Sequence, residues 1–371
     1  MKQASISFGL LLFAASTQIS HAQIVSSAEI FANKDAIIFV SGDLKNEGKF
    51  TSLGNLVVGG DLENQNTMKI DGQLTLNGSG VQNIKGTKNI KVGELTLQQD
   101  DYSSVRLLNG LIVDNKLSLE KGIIESFSNN PLILSENLQV TGASNQSHVK
   151  GFIQKNGEGT FTFPVGDGQN LRTITLDPNS KDALMVGYSS QNPSNISEIQ
   201  NTDERIQLIG NEYWTVTPST VEQTVRVKLI NDFSTDENSN IIKGTDGRWV
   251  NTTNLGGLNN NEIKSETSIH GTTYFTVGTR VEGAGAAAVV VSPNPTNGLF
   301  NVQLNGFSAD DIVKLDMIDI TGKAIINQEG KVRDLSKKYN LDASNLTGDY
   351  ILRVVNTSTN KIFTNKVLVV K

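Results

Sequence analysis

Leu74-Thr75-Leu76, Leu95-Thr96-Leu97, Leu117-Ser118-Leu119 and Leu138-Gln139-Val140 repeat one short pattern, their first residues 21, 22 and 21 positions apart. An apolar residue sits four positions before three of them: Ile70, Val113 and Leu134. Gly78, Gly122 and Gly142 follow a few residues later. Upstream, Gly42-Asp43-Leu44 and Gly60-Asp61-Leu62 echo the pattern at a spacing of 18. Alternate side chains of a strand point to opposite faces, so the outer residues of each triplet face one way and the middle residue the other. A lone short strand cannot bury its apolar face, but strands stacked at a fixed period share one continuous core. The period predicts a parallel β-solenoid over residues 23–149, with glycine at corners that need left-handed backbone. A leucine-rich repeat needs a longer Leu-x-x-Leu-x-Leu consensus, which is missing. A β-sandwich with regularly spaced strands is the remaining alternative.

Over residues 150–281 the period stops. Candidate strands are Phe152–Lys155, Thr160–Val165, Arg172–Leu176, Leu184–Tyr188, Tyr213–Thr217, Thr224–Leu229, Arg248–Asn251 and Thr273–Val277. Gly166-Asp167-Gly168, Asp177-Pro178-Asn179 and Thr245-Asp246-Gly247 supply turns between them, which is the spacing of a β-sandwich. The only two tryptophans, Trp214 and Trp249, lie here. They are expected in the sandwich core rather than on a sugar-binding platform.

Gly283-Ala284-Gly285-Ala286-Ala287-Ala288 buries little and specifies no packing, so residues 282–291 read as a linker. Beyond it, Pro293 and Pro295 fix two backbone angles, and Asn297-Gly298 is a tight-turn signal. Alternating stripes follow: Phe300, Val302 and Leu304; Val313, Leu315 and Met317; Tyr350, Leu352 and Val354. About seven short strands in some 80 residues predict a small antiparallel, Ig-like sandwich over residues 292–371. In this stretch Pro293-Asn294-Pro295, Asp319-x-x-Gly322, Leu346-x-Gly348-x-Tyr350 and a last strand bearing Lys366 and Lys371 come in fixed order. With Gly298, these residues resemble the C-terminal sorting domain of the type IX (Por) secretion system of Bacteroidetes. The resemblance implies export across the outer membrane, with the secretion machinery and a sortase-like peptidase as partners. It also implies a cut in or near Gly283–Val291, and release of the cargo or its attachment to surface lipopolysaccharide.

The chain has 371 residues, a formal charge of −6 and no cysteine. Neither disulfides nor thiolate metal sites are available, and a mildly acidic chain does not suit a nucleic-acid binder. Residues 1–22 read as a secretory leader: Lys2, an apolar run from Ile6 to Ala15, and Ser20-His21-Ala22 before a cleavage between Ala22 and Gln23.

Chemistry is sparse. After the leader only His148 and His270 remain, 122 residues apart, and both are expected on surface loops. Asp236, Asn238 and Asn240 have calcium-loop spacing, but Ile241 and Gly247 stand where the loop needs Gly and Glu. Asp100 and Asp101 with Arg106 form the best acid–base cluster on the solenoid. An outward column of Thr75, Thr96, Ser118 and Gln139 holds too few threonines for an ice-binding array. The expectation is a non-enzymatic surface or extracellular protein for adhesion, matrix or surface structure, with no cofactor and with a glycan or other surface molecule as its ligand. The alternative is a secreted carbohydrate-active enzyme, a polysaccharide lyase or hydrolase on a solenoid scaffold.

Overall fold

A computed structural model describes residues 23–199, 201–202, 206–220, 222–230, 239–255, 262–280, 288–305, 307–340, 346–357 and 360–370. The leader with Ala22, the calcium-loop positions Asp236 and Asn238, residues 283–287 of the small-residue run and Lys371 lie outside the described residues. The chain is almost entirely β and divides into two compact units, with the main boundary at Gly278–Thr279.

The first unit begins as a three-sided parallel solenoid. One ladder stacks Gln23–Ser26, Asp43–Asn46, Leu62–Asn64, Val81–Gly86, Ser104–Leu107, the end of Leu111–Glu125, and Ser147–Lys150. A second runs through Ile30–Ala32, Phe50–Ser52, the first halves of Met68–Leu76, Ile90–Gln98 and Leu111–Glu125, then Leu132–Leu134 and Phe152–Lys155. The third takes Ile37–Val40, Asn55–Val58, the later parts of the same long strands, and Gln139–Thr141. The leucine columns form as the period predicts: Leu74, Leu95 and Leu117 align, as do Leu76, Leu97 and Leu119, and all six are fully buried.

The fourth triplet departs from that register. Lys116 pairs with Gln139, Leu117 with Val140 and Ser118 with Thr141. The corner after Leu134 is longer than the one after Val113, and the extra residues shift the strand. The outward column therefore reads Thr75, Thr96, Ser118 and Thr141, not Gln139, and Thr96 and Ser118 are themselves buried beneath their neighbours.

Two devices hold the corners. A Cβ on Gly72 or Gly93 would collide with the carbonyl oxygen of Gly54 or Asp71 in the preceding coil, so only glycine lets the long strands bend there. At another corner Asn46 Nδ2 donates to Asn64 Oδ1 at 2.8 Å and to the Thr67 carbonyl at 3.0 Å. Asn64 Nδ2 in turn reaches the Lys88 and Asn89 carbonyls. Buried amides thus satisfy backbone groups that the turn leaves unpaired.

The solenoid does not stop abruptly. Phe152–Lys155 is parallel to Leu132–Leu134 on one side and antiparallel to Leu184–Ser189 on the other. From there the sheet continues antiparallel through Tyr213–Pro218 and Thr273–Arg280. A second antiparallel sheet joins Phe161–Phe163, Ile174–Pro178, Gln223–Ile230, Glu262–Ile269 and Thr253–Asn254. Their inner faces share one apolar core with the solenoid, and Trp214 and Trp249 are buried as expected. Ser239–Thr245 and Glu262–Ile269 are strands that the sequence pattern does not reveal.

Candidate functional site

The second unit carries the sorting residues. Ala288–Ser292, Leu299–Asn305 and Lys338–Asn340 form one antiparallel sheet. Ala324–Lys331, Ile312–Asp319, Gly348–Asn356 and Ile362–Val369 form another. Val291, Phe300 and Val302 from the first pack with Leu315, Met317, Leu352 and Val367 from the second. Phe300 stacks on Tyr339 with ring centroids 5.9 Å apart. Tyr339 donates to the Leu335 carbonyl, and burial pushes its hydroxyl up to about 12.

Ile362–Val369 is an edge strand, and the Pro-Asn-Pro segment covers it. Asn294 Nδ2 donates to the Lys366 carbonyl at 2.6 Å, and its Oδ1 accepts from the Leu368 amide at 2.8 Å. One side chain thereby imitates a strand. The backbone continues the pairing: the Thr296 amide donates to the Leu368 carbonyl and the Val370 amide to the Thr296 carbonyl, both at 2.8 Å. Pro293 and Pro295 lack amide donors, so they flank the clamp without adding an unpaired group. Asn365 Nδ2 ties the same strand to the Val289 carbonyl at 2.7 Å. Gly298, at φ 102°, makes the turn into the next strand, where its amide donates to the Thr296 hydroxyl.

The other motif residues fall in line with this clamp. Asp319 pairs in register with Tyr350, and Tyr350 with Val367, the residue between the two that Asn294 holds. Asp319 Oδ1 accepts from the Thr321 hydroxyl and amide and from the Lys323 amide at 2.7–2.9 Å. The Thr321 hydroxyl leads in holding its carboxyl below the ordinary value. Gly322, at φ 87°, closes the turn. Tyr350 is buried, and Gly348, at φ 137°, starts its strand. Lys366 pairs with Asp349 at 3.0 Å on the surface. Asp319, Tyr350 and Val367 thus share one row across the sheet, and Asn294 grips the two positions that flank Val367.

Sequence reading missed a buried polar group here. Asp316, 2 % exposed, accepts from Arg353 Nη2 at 2.7 Å and Asn327 Nδ2 at 2.8 Å across three adjacent strands. The charge at alternating position 316 was the available signal. The linker expectation also needs correction: Ala288–Ser292 is a strand, and Val289 and Val291 are core residues of this unit.

In the first unit the candidate chemistry disperses. Arg106 is joined to Glu125 on the next coil at 2.8 Å, and Asp101 to Lys121, so the Asp100–Asp101–Arg106 cluster does not assemble. His148 is not on a surface loop. It is fully buried, with Nδ1 3.0 Å from the Ser144 carbonyl and Nε2 accepting from the Gly168 amide at 3.0 Å. Those partners require the neutral ring, and burial lowers its basicity. His270 is exposed beside Asp246. Asn240 is buried and bonded to the Thr252 carbonyl and Ser265. Among the described residues no group of three His, Cys, Asp or Glu side chains could hold a metal ion.

No curated protein matches the chain. Residues 290–371 match the family model of the secretion system C-terminal sorting domain. The clamp, the aspartate turn and the tyrosine strand of the second unit are the framework of a type IX secretion C-terminal sorting domain.

Proposed function

We propose that this chain is a non-enzymatic protein of the cell surface or extracellular medium, serving adhesion, matrix or surface structure. The sorting domain carries it out by the type IX system. The observation behind the reading is the completed clamp of Asn294 on the last strand, which gives the secretion machinery a finished module to recognise. The solenoid supports it. Several of its charged side chains are paired between coils, such as Lys85 with Asp61 and Arg106 with Glu125. A sortase-like peptidase and surface lipopolysaccharide belong to the end of that route, and a glycan or other surface ligand to the body. Because Val289 and Val291 are core residues, a cut upstream of Ala288 releases the module whole, whereas one at Val289–Val291 would tear a strand from it.

The test is export in a host with a type IX system. The tagged full chain should reach the cell exterior, and a chain lacking residues 288–371 should stay in the periplasm. Equal export of both would end the sorting reading. Hydrolysis or lysis of any member of a polysaccharide panel would end the non-enzymatic one.

A further inference from the structure

The two ends of the parallel stack are treated differently. At the far end, Phe152–Lys155 passes its free edge to Leu184–Ser189. Lys155 takes the inward position in register with Leu134, and its ammonium is tied to the Glu136 carbonyl at 2.7 Å. At the near end, Gln23–Ser26, Ile30–Ala32 and Ile37–Val40 pair with the second coil on one side, and among the described residues nothing pairs with the other.

The side chains of this first coil run against expectation. Its inward Ile24 heads the column of Leu44 and is 44 % exposed, against 2 % for Leu44. Its outward residues are Val25, Phe31, Ile37 and Phe39, between 48 % and 66 % exposed. In the second coil the same positions hold Lys45, Thr51, Asn55 and Val57. Three of four outward positions therefore change from polar to large apolar in the coil that ends the stack. A terminal repeat that faces water is ordinarily more polar than its neighbours, and open strand edges are blunted with charge.

We infer that the first coil is an interface for the first coil of a second copy, joined head to head across a two-fold axis. The free backbone groups lie on three short strands set around one coil, so the occupant must bring three strand edges in that arrangement, ringed by apolar side chains. Another first coil has both. Identical edges related by a two-fold axis run antiparallel, which pairs their N–H and C=O groups directly. Charge agrees. Glu29 is already paired with Lys49 of the second coil. Lys34 and Asp35 are adjacent, exposed and opposite in sign, and among the described residues neither makes an ion pair. A self-complementary contact turns them into two cross-pairs. Cleavage after Ala22, as the leader pattern expects, would put Gln23 at the head of both the chain and the strand.

The experiment is sedimentation of the chain from Gln23 to Lys371 over a range of concentrations. A dimer is expected, and Phe31→Lys/Phe39→Lys should weaken it about tenfold or more, as loss of central apolar anchors does. Lys34→Asp should weaken it with the fold untouched by circular dichroism, and Lys34→Asp/Asp35→Lys should restore it. Since the chain has no cysteine, Asn33→Cys provides a single site for a short bis-maleimide, which should link two copies. A monomer at every concentration overturns the inference. So does a dimer indifferent to the Phe31, Phe39 and Lys34 substitutions.

Discussion

The solenoid and the sorting module are both built from short strands with apolar inner faces, yet they manage their strand edges in opposite ways. In the solenoid every internal coil is covered by the next, and the same corner solution recurs, with Gly72 and Gly93 in one column and Asn46 and Asn64 in another. Stability there is a sum of neighbour terms, so damage at one coil stays near that coil. The module has few strands and no repeat. Its edge is closed by one short segment, the Asn294 side chain with the Thr296 backbone, acting on a strand more than 70 residues away in sequence. Repetition spreads responsibility over many positions; a small unique fold concentrates it in a few.

The largest effect should come from the solenoid corner. Gly93→Val places a branched side chain against the Asp71 carbonyl, and overpacking of this kind costs about 3 kcal/mol. Urea unfolding followed by two probes should show the body's transition move while the module's stays in place. A common shift of both would break the distinction between the two regions. Asn294→Ala should come next. It removes two hydrogen bonds to backbone groups, a loss of roughly 2 kcal/mol. Amide exchange along Ile362–Val369 should quicken while the solenoid leucine columns keep their protection. Unchanged exchange in that strand would deny the clamp its role.

The smallest effect is on pH dependence, and it sharpens the contrast. Buried His148 has a folded value below its ordinary 6.5 because burial disfavours the charged ring. The unfolded chain therefore takes up the proton first. The contribution of His148 to body stability is full above about pH 6.5 and is lost as the pH falls from there through the lower folded value. The module has no histidine. Its Asp319, depressed mainly by the Thr321 hydroxyl, gives a contribution that is lost only as the pH falls below the ordinary 3.8 through its folded value. Melting temperatures between pH 7 and 5 should fall for the body, stay level for the module, and flatten in His148→Gln. Identical slopes for the two regions would contradict the assignment.

Much of this fold could be read from the chain because the solenoid writes its columns into the sequence as a period. The reading slipped where a corner changed length. The triplet at Leu138 looked like a fourth copy, yet added residues after Leu134 put Val140 opposite Leu117. Arg106 misled for a related reason: the carboxylate nearest in sequence belongs to its own coil, while its partner Glu125 lies one coil on. Ser239–Thr245 and Glu262–Ile269 were hidden by polar composition. The sorting motifs were visible as residue types in order. The task of Asn294 was not, because its partners are main-chain atoms, which carry no letter in the sequence.

The grip of Asn294 on the final strand also fixes a point in time. A chain emerging from the ribosome displays Pro293-Asn294-Pro295 long before residues 362–369 exist to be held. Truncation anywhere in between leaves half a clasp and an unfinished sheet. The last strand, and with it the grip of Asn294, can therefore form only after translation has passed Leu368, when everything ahead of it in the chain has already been made.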